Sequence, residues 1–385
     1  MSAQATPGTD AGPAVTATTQ AAPVLDQHRF PEDRLASFMA REVAGFVAPL
    51  RVSQFRGGMS NPTFLLQDGN GRRYVMRKKP PGTLLPSAHA VDREYRVISA
   101  LAETDVPVAR AFALCEDEAM IGRAFYIMEH VEGRVARNLT LPDFPPAGRA
   151  AVYDAMNAAL AALHNVDFRT AGLEGYGREG GYMARQVRRW SGQYEMSKTD
   201  EIPEMDNLVA WLAQNMPPDD ETAVVHGDYR LENMILHPTE PRVLAVVDWE
   251  LGTLGNPLSD LAYNCLPYHS GDDVRGSLAG MDHDETGIPS EDDYLAAYCA
   301  RTGRGGIPDW NFYLAFSLFR LAAISQGVYK RGLDGNASSP DAIQRGAKAR
   351  HLAKTGWAIA QRGVSDTTRP WNEHRRARSS PGRAR

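Results

Sequence analysis

Three polar side chains stand at short, fixed offsets between apolar runs. Asp228 and Asn233 have four residues between them in Val224-Val225-His226-Gly227-Asp228-Tyr229-Arg230-Leu231-Glu232-Asn233. Asp248 follows the apolar run Leu244-Ala245-Val246-Val247 and precedes Trp249-Glu250. A carboxylate at such a place can orient an acceptor hydroxyl and take its proton. An amide oxygen and a second carboxylate, on adjacent strand ends, can hold a hard cation that prefers oxygen ligands and neutralises nucleotide phosphates. Together these are the parts that phosphoryl transfer requires: a base, a charge clamp and a scaffold that aligns them.

The scaffold must place these residues on strand ends, and the surrounding pattern does so. Met234-Ile235-Leu236 and Leu244-Ala245-Val246-Val247 read as a short hairpin joined through Pro238-Thr239-Glu240-Pro241. Upstream, residues 51–56 and 63–67 read as strands around the turn Gly57-Gly58-Met59-Ser60-Asn61-Pro62, and Tyr74-Val75-Met76-Arg77 as the next strand. Residues 88–102 place Val91, Tyr95, Ile98 and Leu101 on one helical face. Short strands are expected near 109–114 and 124–129. Downstream the period changes to helical. Val152, Met156, Leu160 and Leu163 form a stripe over 147–164, and Met205, Leu208, Leu212 and Met216 another over 204–216. Ser290-Glu291-Asp292-Asp293 resembles a capping box with Asp at its fourth place, and a long helix is expected from Asp309 to about Arg331.

The expected organisation is α+β: a small antiparallel-sheet lobe over 26–131 and a larger, mainly helical lobe over 132–362, the boundary falling near Val131 to Gly133. Residues 1–25 are rich in Ala, Thr, Pro and Gly and predict a disordered tail, and 363–385 a flexible basic one. A length of 385 residues suits two lobes plus tails. The net charge of −5 lacks the basic footprint of a duplex-binding protein. Phe312 to Val328, the most apolar long stretch, is interrupted by Ser317, Arg320, Ser325 and Gln326, which fits a buried helix rather than a membrane span. The N-terminal residues contain no Lys or Arg before Arg29 and form neither a secretory signal nor an Arg-rich transit peptide. Cys115, Cys265 and Cys299 form no CxxC pair and read as reduced core thiols. A cytoplasmic protein is expected, with no nucleic-acid or membrane partner and the oligomeric state left open. Zinc-site histidine spacings and a GxSxG elbow are both missing from the sequence.

The HGDxxxxN signature with its following DWE resembles the aminoglycoside-phosphotransferase and choline-kinase-like superfamily. More narrowly, the chain is similar to the kinase-like domain fused to some acyl-CoA dehydrogenases and to its free-standing bacterial relatives. The resemblance runs from about Phe55 to about Trp357 through GGMSNPTF, YVMRKKPPG, LPSAHAVDREYRV, FYIMEHVEGR, HGDYRLENMI, DWELGTLGNPLSDLAY, AISQGVYKR and GNASS. It implies a two-lobed protein-kinase-like fold with ATP between the lobes and Mg2+ as cofactor.

Carried over position by position, the resemblance makes Asp228 the catalytic base and Asn233 and Asp248 the metal ligands. His226 would brace the catalytic loop through a ring hydrogen bond, and Asp260 would tie that loop to the helical lobe. Glu250 either reaches metal or substrate or caps the next element. In this context the Gly57-Gly58 turn would let backbone N–H groups approach phosphates, with Ser60 and Asn61 beside it. Kinases pair a cation on the third strand with a glutamate on the following helix. Glu94 suits the glutamate. Arg77 is preferred over Lys78 as the cation, since alternate strand residues face opposite sides and only one of the two can point into the cleft. Met128-Glu129-His130-Val131 is the expected hinge, where adenine would meet backbone groups, Glu129 and Val131 among them.

The acceptor is expected against the helical lobe, among the segments after Asp260 and around 309–331. The acidic run from Gly271 to Glu285 could attract an amino sugar, but reads more simply as a solvated loop. By resemblance to the dehydrogenase-fused branch, a small hydroxylated acyl compound is a better acceptor than an aminoglycoside. Two other readings stand beside this one. A nucleotide-binding pseudokinase would have no need of Asp228, Asn233 and Asp248 together. A protein kinase would carry DFG and APE motifs around an activation segment, and the chain shows no such pair.

Overall fold

The computed structural model describes residues 15–17, 21–56, 61–82, 90–218, 221–270, 276–336 and 340–363. The Gly57-Gly58-Met59-Ser60 turn and the basic residues from 364 onward lie outside the described residues.

The first lobe is a six-stranded sheet in the order β2-β3-β4-β5-β7-β6. After β1 (Val15–Ala17), its strands are β2 (Ala21–Ala22), β3 (Arg51–Phe55), β4 (Thr63–Gln67), β5 (Arg73–Lys78), β6 (Ala111–Cys115) and β7 (Phe125–Glu129). Every neighbouring pair is antiparallel. Helix α1 (Glu32–Glu42) covers one face, and α2 (Val91–Leu101) lies against the other. Alternation along the strands sorts the side chains. Tyr74 and Met76 of β5, with Phe125 and Ile127 of β7, pack with Leu35, Phe38 and Met39 of α1. Val75 and Arg77, with Tyr126 and Met128, face the opposite way and line a cleft.

The second lobe is mostly helical. A short α3 (Glu118–Ile121) joins β6 to β7 within the first lobe, and β8 (Arg134–Ala136) opens the second. There follow α4 (Pro146–His164), α5 (Tyr182–Ser197), α6 (Pro203–Gln214), β9 (Ala223–Val225), β10 (Met234–Leu236), β11 (Val243–Val246), β12 (Thr253–Gly255), α7 (Pro257–Cys265), α8 (His283–Thr286), α9 (Glu291–Thr302), α10 (Trp310–Leu333) and α11 (Arg345–Ala360). The core of this lobe is built on α10, where Phe312, Leu314, Phe316, Leu318 and Phe319 are buried. The expected stripes are largely buried: Val152, Met156, Leu160 and Leu163 on α4, and Met205, Leu208 and Leu212 on α6, while Met216 lies past the end of that helix and is half-buried. The Ser290 hydroxyl accepts the Asp293 N–H at 3.1 Å and donates to the Asp293 carboxylate at 2.8 Å, so Ser290 caps α9 and the Asp293 side chain orients the capping hydroxyl.

The stretch expected to be a disordered tail contains structure. Ala21–Ala22 pairs with β3, and Val15–Ala17 pairs with β8, the edge of a four-stranded sheet ordered β1-β8-β10-β11. Edge strands are held by backbone hydrogen bonds, so a run poor in large side chains can still form them. Cys115, Cys265 and Cys299 are buried free thiols, and burial pushes each of them above its ordinary pKa. Among the described residues no helix is long and apolar enough to cross a membrane.

Candidate active site

The loop after β9 is held by its backbone. Asp260, on α7, accepts the His226 N–H at 2.5 Å on one carboxylate oxygen and the Gly227 N–H at 2.9 Å on the other. Burial alone would raise the Asp260 carboxyl, but the neighbouring His164 ring and the His226 backbone N–H bond outweigh it and hold it below the usual carboxylate range. His226 itself is fully buried. Its Nε2 donates to the Val247 carbonyl at 2.9 Å, and its Nδ1 accepts the Asp228 N–H at 3.2 Å. A carbonyl only accepts and a backbone N–H only donates, so these partners select the neutral Nε2–H tautomer. His226 thus clips the loop to the end of β11, the bracing role expected of it. Gly227 has φ +81°, and a Cβ there would lie 2.8 Å from the Leu251 carbonyl oxygen. Only glycine takes that backbone without strain.

This frame presents Asp228 half-buried at the surface of the second lobe. Its Oδ1 accepts the Tyr263 hydroxyl at 2.6 Å and its Oδ2 accepts Asn233 Nδ2 at 2.9 Å, while Arg230 Nε lies 3.3 Å from Oδ2 as an ion pair. Each carboxylate oxygen carries two lone pairs, so acceptor capacity remains for an incoming hydroxyl. Asn233 is buried, and its Nδ2 also donates to the Asp228 carbonyl at 2.9 Å. With the NH2 fixed on Asp228, the amide oxygen is turned the other way. The Val247 N–H donates to the Asn233 carbonyl at 2.9 Å, which sets Asn233 next to Asp248. Asp248 takes a left-handed backbone at φ 69°, an uncommon but tolerated state for Asp.

Across the cleft, Arg77 is 8% exposed, and its Nη1 lies 3.0 Å from both Glu94 and Asp248, while Nη2 is 4.0 Å from Glu250. Burial would lower the guanidinium, but Glu94, Tyr126 and Asp248 outweigh it and raise its pKa. Glu94 is buried, and burial pushes it above the ordinary range against the pull of Arg77. It accepts Asn61 Nδ2 at 2.7 Å and the Tyr126 hydroxyl at 3.0 Å. Lys78 faces the other side of the sheet, with Nζ 5.6 Å from the centre of the Phe30 ring. Of the two candidate cations, Arg77 is therefore the one in the cleft.

The cleft between the lobes has a volume of about 660 Å³. Asn61, Arg77, Glu129, His130, Val131, Asn233 and Asp248 line it, whereas Asp228 is not among its lining residues and meets the site through Asn233. Gly57, Gly58 and Ser60 fall outside the described residues. Glu94 reaches the site through Arg77. The donors on the second-lobe side, the Asn233 amide and the Asp248 carboxylate, offer oxygen only, which fits a hard cation. Among the described residues no group of three or more His, Cys, Asp or Glu is gathered into a metal cage. A cation here would therefore complete its shell with substrate and water oxygens, as magnesium does.

Some participants escaped the sequence reading. Tyr126 braces Glu94, and it stands on the cleft face of β7, where the strand period would have put it. Tyr263 is three residues after Asp260 on α7, so the helix that holds the loop backbone also reaches the Asp228 side chain. Ala21 and Ala22 line the cleft beside Phe55 with no chemical signature at all.

Fold and site together define a protein-kinase-like phosphotransferase. Residues 51–310 match the Phosphotransferase enzyme family, and the chain belongs to that family. It is 44% identical over 359 residues to human acyl-CoA dehydrogenase family member 11, covering 92% of this chain and 46% of that protein. The chain thus spans about half the length of this curated relative. A candidate aminoglycoside phosphotransferase from Ralstonia eutropha JMP134, solved as a crystal structure, is 52% identical, with a TM-score of 0.82 over 88% of this chain and all of that one. A thermostable mutant of aminoglycoside phosphotransferase APH(4)-Ia, solved in complex with ADP and hygromycin B, has a TM-score of 0.56 over 85% of this chain and 98% of its own. At 16% identity it attests the shared fold alone.

Proposed function

We propose that this phosphotransferase is an ATP- and Mg2+-dependent small-molecule kinase whose acceptor is a hydroxylated acyl compound. One observation carries the reading: Asn233, Asp248 and Arg77 converge on one cleft, and Asp228 sits directly behind Asn233. Adenine would lie along the strip Glu129 to Val131, between the first lobe at 26–131 and the second at 132–362. Asn233 and Asp248 would hold the metal, and when bound it would neutralise charge on the transferring phosphate. Arg77, fixed by Glu94, supplies a further positive charge on the first-lobe side. Asp228 orients the acceptor hydroxyl and takes its proton as the oxygen–phosphorus bond forms.

A second recess, of about 70 Å³, lies on the Tyr263 side of Asp228, where the acceptor was expected. Leu139, Tyr153, Leu266, Tyr268, Leu278 and Leu321 are among its walls. Among its described lining residues the charged ones are Arg230 and Glu232, 3.3 Å apart. An amino sugar needs several unpaired carboxylates, and this wall suits an apolar chain carrying a hydroxyl better. The acidic residue Asp282 accepts the Glu285 N–H as a helix cap, in keeping with a solvated loop.

The deciding experiment is Mg-dependent phosphate transfer from ATP to hydroxyacyl-CoAs, free hydroxy acids, amino sugars and choline-like alcohols, with Asp228→Asn as blank. Transfer to the acyl compounds, lost in the blank, is the expected result. Transfer to amino sugars alone would reject the acceptor class. ATP binding without transfer to any of them would favour a nucleotide-binding regulator.

A further inference from the structure

We infer that Tyr263 is a positioning residue for phosphoryl transfer, aiming the Asp228 carboxylate at the acceptor recess; this rests on Asp228 being the base. The catalytic loop has two kinds of anchor. Its backbone is held by Asp260, through the N–H groups of His226 and Gly227, and by Arg320 of α10, whose Nη2 donates to the Gly227 carbonyl at 2.8 Å. The Asp228 side chain is held separately. Asn233, which lines the nucleotide cleft, takes Oδ2, with Arg230 as an ion-pair partner at 3.3 Å, and Tyr263 alone among the side chains of α7 takes Oδ1, at 2.6 Å. A carboxylate fixed at one oxygen can still turn about its own bond, and the second contact removes that freedom.

Tyr263 is also suited to the task by its setting. Its ring lines the acceptor recess, so the hydroxyl that aims the base stands on the wall that the substrate would touch. The Arg320 guanidinium lies 5.4 Å from the Tyr263 ring centre and 5.7 Å from that of Trp190, a stack that sets the phenol's place from α5 and α10. In the transfer step the acceptor oxygen bonds to the γ-phosphorus as the bond to the β-bridging oxygen breaks. ADP departs, and the hydroxyl proton goes to Asp228. Tyr263 donates its hydrogen bond throughout and neither gains nor loses a proton. Water in place of the acceptor would be less dependent on this aim, because it is small enough to approach from several directions.

The test is Tyr263→Phe, which keeps the ring and the recess wall and removes the oxygen alone. Phosphate transfer from γ-labelled ATP to a hydroxyacyl-CoA is followed together with acceptor-free ATP hydrolysis, the KM for ATP and the urea midpoint. Loss of aim by a fraction of an ångström predicts a fall in transfer kcat of about tenfold or more. The KM for ATP and the urea midpoint should stay at wild-type values, and the ratio of hydrolysis to transfer should rise. Wild-type transfer kcat in Tyr263→Phe, beside an inactive Asp228→Asn, overturns the inference and leaves the base intact. A drop in kcat matched by a lower urea midpoint and weaker ATP binding also overturns it, since that is what a purely structural role would do. Full activity in Asp228→Asn, or no transfer by the wild type to this acceptor, removes the underlying reading and the inference with it.

Discussion

Replacing Asp260 by Asn keeps the shape of the side chain and changes what it offers to two buried N–H groups. The native carboxylate accepts from His226 at 2.5 Å and from Gly227 at 2.9 Å, at 2% exposure. An amide presents one acceptor oxygen and one NH2, so one of the two backbone donors would face another donor. Losing a hydrogen bond to a charged acceptor costs about 1.5–3 kcal/mol, and leaving the N–H buried without a partner about 1–3 kcal/mol more. A loss of about 3 kcal/mol at pH 7 is therefore expected, a large share of a typical stability of about 5–15 kcal/mol. Urea unfolding of both proteins measures it. The pH dependence has a definite sign. The Asp260 carboxyl is held below its ordinary range in the folded chain, so its contribution is present above the unfolded value of about 3.9. It is lost as pH falls through the folded pKa. The gap between wild type and Asp260→Asn should be level from pH 8 to 5 and close below about pH 4. A difference under about 0.5 kcal/mol at pH 7, the range of an ordinary surface change, would refute the anchoring role. A gap that widens on acidification would refute the ionised carboxylate.

Other outcomes follow from the same geometry. Asp248→Ala should lose the Mg-dependent part of nucleotide affinity, read by calorimetry with and without MgCl2; affinity with an unchanged magnesium response would reject Asp248 as a ligand. Gly227→Ala forces a Cβ to 2.8 Å from the Leu251 carbonyl at φ +81°. It should cost at least about 1–2 kcal/mol in urea unfolding and displace Asp228, so wild-type turnover would contradict the strained loop. Ser290→Ala removes the cap of α9 and should cost about 1 kcal/mol with kcat unchanged, whereas Ser290→Thr, which keeps the hydroxyl that both accepts and donates, should retain the stability.

What the sequence made legible was local. Asp228 and Asn233 are five positions apart and touch, and Ser290 and Asp293 are three apart and cap a helix. Strand alternation was enough to prefer Arg77 to Lys78, because a sheet packed by α1 on one face leaves the other to the cleft. Contacts distant along the chain were less legible. Arg77 meets Asp248 across 171 residues, Tyr126 meets Glu94 across 32, and Tyr263 meets Asp228 across 35. The carry-over from kinases supplied the first of these roles; composition and periodicity supplied none. The strands at Val15–Ala17 and Ala21–Ala22 were missed because main-chain pairing leaves no mark in an Ala- and Thr-rich run. The same holds for Asn61: its place beside the glycine turn suggested phosphate, while its amide is engaged with Glu94.

The choice of arginine at position 77 connects these long-range contacts. A lysine ammonium is a compact charge on a flexible stem, whereas a guanidinium is a planar fork. In this cleft the fork reaches Glu94 of the first lobe, Asp248 of the second at 3.0 Å, and Glu250 at 4.0 Å. One buried cation thus joins the lobes directly and stands between the acid that fixes it and the acid proposed to hold the metal. An incoming metal–nucleotide would compete with Arg77 for Asp248, while phosphate oxygens would compete with Asp248 for Arg77. Each exchange compensates the other, so the pair can open without leaving a bare buried charge, which would cost several kcal/mol. Glu94, held by Asn61 and Tyr126 as well, keeps the guanidinium in place while its other partner changes.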